Sequence, residues 1–378
     1  MTGFLSPWFY RLPRPVAALV LAVFAIAIIV GLATGVTKPE RHSNGTRPSD
    51  GMLYLNIINR VAAGESYYSA AVDEQRRQHY PLRPVFTVRE PLLATAMAAL
   101  PGEPARIQAL RILTILVLVA WGWRLGQESK VWTNDGSCSD LSRKTVVQSV
   151  RFLSVLIGLL FLSFGVLPGF LKNGYLLHEV WAGNLIMLAL ALYHPRRWGW
   201  SLVIGLLAAA TRELAAPFLL VMGMVALYER RWREAAAWGG AVLIFAVVML
   251  AHAHALAAYV RPDDLTSNGW VRFGGWPYVL LMNAYWHGLL IFAPQWLIVV
   301  VVPFMLLGSA AFPGEVGKRL MLLCFGYCAG FFIFGRPDNV CWGLISVPAM
   351  ALSLAAFPAG LCLLFCRLFG CGDGVRRA

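Results

Sequence analysis

The chain has 378 residues, of which 58% are hydrophobic and only 13% charged; soluble domains usually carry ~25% charge. The formal net charge of +13 and the mean hydropathy of +0.64 go with arginines set between apolar runs, the pattern of charge left on the wet side of a bilayer. This excludes a soluble enzyme, a disordered chain and a nucleic-acid-binding domain.

A spanning helix needs ~20 mostly apolar residues. Runs of that kind fall at Val16–Val36, Ile107–Leu125, Phe152–Leu171, Val180–Tyr193, Gly199–Ala210, Leu214–Tyr228, Ala235–Leu256, Gln295–Phe312, Leu320–Gly335 and Val340–Phe365. They predict an all-α integral membrane protein of about ten spans, a single polytopic domain over 1–378. Gly199–Tyr228 also reads as one long helix. Pro277–Ala293 is apolar but carries Asn283, Trp286 and His287, and is expected to lie in the interface as a moderately amphipathic helix. Arg11 and Arg14 precede an apolar run too long for a secretory signal, so an uncleaved first span is expected.

Lys and Arg in short loops set the orientation. With ten spans, Arg11, Arg14, Arg124, Lys130, Arg143, Lys144, Arg151, Arg196, Arg197, Arg230, Arg231, Arg233, Lys318, Arg319, Arg367, Arg376 and Arg377 fall inside, against Lys172, Arg212, Arg261, Arg272 and Arg336 outside, or 17 against 5. Both termini are expected in the cytoplasm, with the protein in the plasma (inner) membrane. The seven cysteines, Cys138, Cys324, Cys328, Cys341, Cys362, Cys366 and Cys371, form no disulfide framework. Cys362 and Cys366 share a helix face but lack a full ligand set, and read as packing residues.

Two loops are long. Segment 127–149 is a cytoplasmic connector with the turn cluster Asn134-Asp135-Gly136-Ser137. Segment 37–105 is a large outside loop, and loops of that length are often functional. Within it Gly51–Ala63 reads as a surface helix: Leu53, Ile57, Ile58, Val61 and Ala62 share one face, and Asn56, Asn59 and Arg60 the other. Gly64 is its natural stop. Asp50 stands at its start, where an N-cap is one role and a positioned carboxylate another. Pro91 suits the first position of a second short helix, Leu92–Leu100.

Ionisable residues recur at the outer ends of the spans: Asp50, His178-Glu179, Arg212-Glu213, Arg336-Pro337-Asp338-Asn339 and, a turn deeper, Arg111. Charges at membrane depth cost several kcal/mol unless paired or facing a wet cavity. Each has a plainer role: an outside turn for Arg212-Glu213, a helix start for His178-Glu179, a snorkelling side chain for Arg111. His252 and His254 point apart on a helix and read as packing residues. Together, acids beside arginines suit transfer of a sugar from a lipid phosphate. A carboxylate takes the proton of the incoming hydroxyl, and arginines stabilise the departing phosphate.

The order of parts resembles a GT-C-type glycosyltransferase, the polytopic class that uses polyprenyl-phosphate sugars: a first span, an acidic residue in a long outside loop, then a membrane-parallel helix. Gly64-Glu65-Ser66-Tyr67-Tyr68, Tyr80-Pro81, Arg89-Glu90-Pro91, Trp181-Ala182-Gly183, Arg212-Glu213-Leu214-Ala215, and Arg336-Pro337-Asp338-Asn339 with Trp342-Gly343 are similar to stretches of bacterial members. The resemblance implies a polyprenyl-phosphate sugar donor and a lipid, glycan or protein acceptor. It implies Asp50 and Glu179 as catalytic carboxylates, with Glu90 the next choice, and Arg111, His178, Arg212, Glu213, Arg336, Asp338, Asn339 and Glu90 as substrate contacts. The class often pairs two adjacent acids in this loop, whereas Asp50 is followed by Gly51. One carboxylate makes a poor site for a hard cation, so no cofactor is expected. The competing function is a polytopic transporter or lipid flippase, favoured by proline breaks at Pro217, Pro294, Pro303 and Pro348; a scaffolding subunit is a third. The two halves of the chain show no internal repeat of the kind common in transporters.

Overall fold

The computed structural model describes residues 12–38, 50–131 and 141–369. Cys138, Cys371, Arg11, Ser49 and the turn at 134–137 lie outside those residues. Fifteen helices are described: α1 (Arg14–Thr34), α2 (Asp50–Ala62), α3 (Tyr67–Arg77), α4 (Pro91–Ala98), α5 (Gly102–Val131), α6 (Leu141–Val166), α7 (His178–Leu192), α8 (Gly199–Thr211), α9 (Ala216–Tyr228), α10 (Trp232–Ala257), α11 (Gly275–Ala284), α12 (Gln295–Ala311), α13 (Gly314–Ile333), α14 (Val347–Ser353) and α15 (Phe357–Phe369).

The expectation of about ten spans is corrected. Among the described residues five helical segments are long and apolar enough to cross a membrane: α1, Gly102–Glu128 of α5, Phe152–Phe170, α10 and α13. A sixth is counted if α14 and α15, bent by 54° at their junction, form one broken span. The other apolar runs make helices of 10–17 residues. At 1.5 Å per residue these rise only ~15–26 Å, short of the ~30 Å of hydrocarbon in a bilayer. Apolar length was read as span length, whereas α7, α12 and α14 are apolar because protein surrounds them. Exposed apolar side chains run along the long helices, with Leu19, Val23, Ile26 and Ile29 on α1 and Leu243, Val247 and Leu250 on α10, and also mark the outer faces of α8 and α9 at Val203, Leu207, Leu220 and Met224.

Gly199–Tyr228 is two helices. Arg212 breaks α8 in extended backbone, residues 213–215 make one 3₁₀ turn, and α9 restarts with Pro217 in its first turn, where the missing N–H costs nothing. The region around Pro277–Ala293 is also corrected. Its helix, α11, has buried residues on every side, among them Tyr278, Leu280, Met282 and Asn283. It is a core element of the bundle, not an interfacial one.

The loop between α1 and α5 folds as a small helical unit. Leu53, Tyr54, Ile57 and Ile58 of α2 pack with Ala71 and Val72 of α3, Leu93, Ala94 and Met97 of α4, and Tyr175–Leu176 of the bundle. The chain leaves α2 at Gly64 with φ +95°, a left-handed turn that glycine makes without strain. Arg76 forks onto Asp264, with Nε–Oδ1 at 2.7 Å and Nη2–Oδ2 at 2.9 Å. That fork ties the unit to the segment after α10. The larger core belongs to α5–α14, around Trp121, Tyr193, Phe218, Trp238 and Tyr278.

The bundle has two polar ends. At one, the Arg319 guanidinium carbon lies 4.0 Å from the Tyr193 ring centroid, and Nη2 donates to the Tyr193 hydroxyl at 2.7 Å. That hydroxyl donates to Glu234 at 3.0 Å. Lys318 bonds Glu229 at 2.7 Å, and Arg124 bonds Glu128 at 2.7 Å. The other end carries α2–α4 and the candidate site. Helix α7 reaches from His178 at that end to Tyr193 at the first in 15 residues, a rise of ~22 Å.

Candidate functional site

A cavity of about 1240 Å³ opens between the α2–α4 unit and the bundle. Ligand pockets commonly measure ~300–1,000 Å³, so there is room for a large ligand or two smaller ones. One part of its wall is charged, with Asp50, Arg89, Arg212, Glu213, Arg272, Arg336 and Asp338. Another is apolar and aromatic, from the α8–α9 junction and the end of α13 with the residue after it: Leu214, Pro217, Tyr327, Phe331 and Phe334.

Each charged residue is placed by a local break in the helices. Asp50 opens α2, where a carboxylate meets the positive end of the helix dipole. Asp50 is the first described residue of α2. Its Oδ1 accepts the Tyr80 hydroxyl at 2.7 Å, and the residue is exposed to the cavity. Arg212 and Glu213 sit in the α8–α9 break. Arg336, Asp338 and Asn339 occupy the turn after α13: Arg336 Nε lies 3.2 Å from Asp338 Oδ1, and the Arg336 N–H donates to Asn339 Oδ1 at 3.3 Å.

Six of the residues singled out from sequence therefore line one space: Asp50, Arg212, Glu213, Arg336, Asp338 and Asn339. Four stand apart. Glu179 is buried behind the wall, with Oε1 at 2.8 Å from Arg212 Nε. Glu90 is buried and off the cavity surface. His178 packs edge-on against Tyr54, ring centroids 4.8 Å apart, with both ring nitrogens lacking partners among the described residues. Arg111, on α5, donates to the Phe170 carbonyl at 3.5 Å and is not among the cavity-lining residues.

Sequence alone did not single out Arg89. It lies on the cavity wall, where Nε donates to the Tyr54 hydroxyl at 3.1 Å and Nη1 to the Phe86 carbonyl at 3.2 Å. The Tyr67 hydroxyl fixes its backbone by donating to its carbonyl at 2.6 Å. Burial alone would lower its pKa, but Tyr54, Glu179, Glu213 and Asp50 together raise it. Arg212 is bonded by both Glu179 and Glu213, and Arg336 pairs with Asp338. Among the described residues Arg89 has no carboxylate within 4.0 Å. Arg272, exposed on the same cavity, likewise has no carboxylate within that distance among the described residues, so Arg89 and Arg272 are the two cavity guanidiniums not neutralised by contact. The Tyr67-Tyr68 and Arg89-Glu90 pairs were visible as motifs, yet nothing in them told an arginine of the cavity from one of a surface turn.

His252 also has a place that sequence did not give it. It joins the loop unit to α10, with Nδ1 3.1 Å from the Tyr68 hydroxyl and Nε2 3.2 Å from the Val88 carbonyl. Among the described residues no three His, Cys, Asp or Glu side chains gather as a metal site. No family model matches the chain, and neither the curated proteins nor the solved structures compared with it gave a match.

Proposed function

We propose that this multi-pass membrane protein is a glycosyltransferase of the GT-C type, moving a sugar from a polyprenyl phosphate to an acceptor hydroxyl at the extracytoplasmic face of the inner membrane. The observation that carries the proposal is the joining, in one cavity, of an exposed carboxylate, several guanidiniums and an apolar aromatic wall. A lipid-linked sugar phosphate has the matching parts. Its chain suits the α9–α13 wall, its phosphate suits Arg89 with Arg336, and its sugar would reach toward Asp50.

In the reaction the acceptor oxygen bonds to the anomeric carbon as the bond from that carbon to the phosphate oxygen breaks. The bonding pair leaves with the phosphate, where guanidiniums stabilise the growing charge. Asp50 takes the acceptor proton. Arg212, already bonded by Glu179 and Glu213, keeps Glu213 at the wall and acts less directly than Arg89. Glu179 is then a partner of Arg212 rather than a base.

The orientation rests on charge. The end bearing Tyr193 and Arg319 also carries Arg196, Arg197, Arg230, Arg231, Arg233 and Lys318, and basic short loops favour the cytoplasm. The cavity then faces outward.

The test is sugar transfer by purified protein in lipid, offered polyprenyl-phosphate sugars and sampled for released polyprenyl phosphate. Wild type should turn over, and Asp50→Asn, which keeps an oxygen for Tyr80, should fold, bind donor and lose ~10²–10⁴-fold in rate. A flippase is the second reading, favoured by the broken α8–α9 and α14–α15 pairs. It requires transbilayer movement of an intact lipid phosphate that survives Asp50→Asn.

A further inference from the structure

Glu90 has no part in the transfer just described, yet its setting is costly. The residue is 2% exposed. It stands at the N-cap of α4 without using its side chain as a cap, and Oε2 has no hydrogen-bond partner among the described residues. Buried carboxylates are ordinarily paired or hydrogen-bonded, because an isolated charge in a low dielectric is expensive.

Its charged surroundings come from several elements. Arg212 and Glu213 act on it from the α8–α9 break, and Arg89 from its own segment. Tyr67 and Tyr68 of α3 feel its charge. His252 of α10 touches the same corner through Tyr68 and the Val88 carbonyl. Glu179 of α7 enters through its bond to Arg212. Three carboxyl groups, Glu90, Glu179 and Glu213, thus lie within electrostatic reach of two guanidiniums, Arg89 and Arg212, with Glu179 and Glu213 bonded to Arg212 and Glu90 bonded to neither. With all three ionised the cluster carries one surplus negative charge behind the cavity wall. With one proton it is neutral.

We propose that Glu90 is a positioning residue that holds this proton, and that its ionisation weakens anion binding in the cavity by setting a third carboxylate against Glu213 and drawing on Arg89 and Arg212. The inference rests on the reading of the cavity as a site for an amphiphile with a phosphodiester head. A diester has no proton of its own to lose near neutrality, so a pH dependence of its binding reports on the protein. Burial first, then Glu213, push the Glu90 carboxyl up, with Arg212 and Arg89 pulling the other way, to about 8. The group is therefore protonated at neutral pH.

The experiment uses full-length protein in detergent and didodecyl phosphate as probe, with binding measured calorimetrically from about pH 6.5 to about pH 9.5. Wild type should bind about tenfold more weakly at the alkaline end, the scale of one added charge several ångströms from the ligand at an intermediate dielectric. The midpoint should fall near 8. Glu90→Gln should bind tightly with a flat profile, and His252→Gln should keep the transition. The Gln variant should also be the more stable protein, by a margin that grows as pH rises from 4.5 to about 8 and is constant above. The folded state holds its proton over that window while the unfolded state has lost it, so wild type loses stability across it.

Wild-type binding without pH dependence overturns the proposal and leaves the cavity reading standing. Absence of binding at any pH overturns both. Loss of the transition in His252→Gln overturns it in favour of the histidine. Should Glu90→Gln fail to fold, infrared difference spectra of wild type between about pH 7 and about pH 9.5 decide: the band of a buried protonated carboxyl must disappear, and a spectrum without that loss overturns the proposal.

Discussion

Arg212 and Arg89 share a cavity and differ in how their charge is met. Arg212 is 1% exposed and bonded to two carboxylates. Removing it strands Glu179, itself 3% exposed, and breaking a buried pair in this way costs about 3–5 kcal/mol. Arg212→Ala is therefore expected to lower the melting temperature and the yield of folded protein, whatever it does to ligand. Arg89 bonds a hydroxyl and a carbonyl, so Arg89→Gln should fold. It should lose about 1.5–3 kcal/mol of phosphate binding, the value of a hydrogen bond to a charged group, or roughly tenfold or more in Kd. Calorimetry with a lipid phosphate and melting curves of both variants separate the two roles. Six of the ten site candidates line one space because a carboxylate or guanidinium next to a proline or at the end of an apolar run marks a helix break, and breaks face the cavity. Arg89 escaped because its partner Tyr54 is 35 residues away in sequence and meets it only through folding. Glu179 was placed correctly at a helix start, but its pairing with Arg212 is 33 residues away in sequence and has no local sign.

At the scale of helices, the same hydrophobicity served two different surroundings, and this misled the span count. Apolar residues facing lipid and apolar residues facing protein have nearly the same composition, since the bilayer interior is as apolar as a packed core. Helix length decides only which helices can cross fully: α1 and α10 reach 21 and 26 residues, α8 and α9 only 13 each, although α8 and α9 also expose Val203, Leu207, Leu220 and Met224. The short helices also pack tightly. At Gly308 of α12 an added Cβ would lie 1.9 Å from the Ser353 carbonyl oxygen of α14. Gly308→Ala should therefore push α12 from α14 and cost about 1–3 kcal/mol, as overpacking does. Gly239→Ala, on α10 with nothing within 4 Å of the new carbon, is the matched control and should be neutral or slightly stabilising. A shift in melting temperature for Gly308→Ala no larger than for Gly239→Ala would show that the α12–α14 contact yields without strain.

For the molecule as a whole, the proposed orientation rests on the two polar ends and not on the number of spans. Helix α10 runs from Trp232, beside the Glu229–Arg231–Lys318 group, to His252 beneath Tyr68. Twenty residues of helix separate these points, about 30 Å, which matches the hydrocarbon of a bilayer. Ser66 at the start of α3 and Arg230 before α10 are both exposed, and they mark opposite ends. The proposed orientation does not need the ten-span count, because it can be argued from Arg196, Arg197, Arg230, Arg231, Arg233 and Lys318 in the short loops at the end that carries Tyr193 and Arg319. In a background with the native cysteines replaced, Ser66→Cys should react with a membrane-impermeant maleimide in intact cells. Arg230→Cys should react only after permeabilisation. The reverse pattern would put the cavity on the cytoplasmic side, where an acceptor would be cytoplasmic too. Labelling of both from one side would mean that α10 does not cross the membrane, and the apolar face of Leu243, Val247 and Leu250 would then need a cover other than lipid.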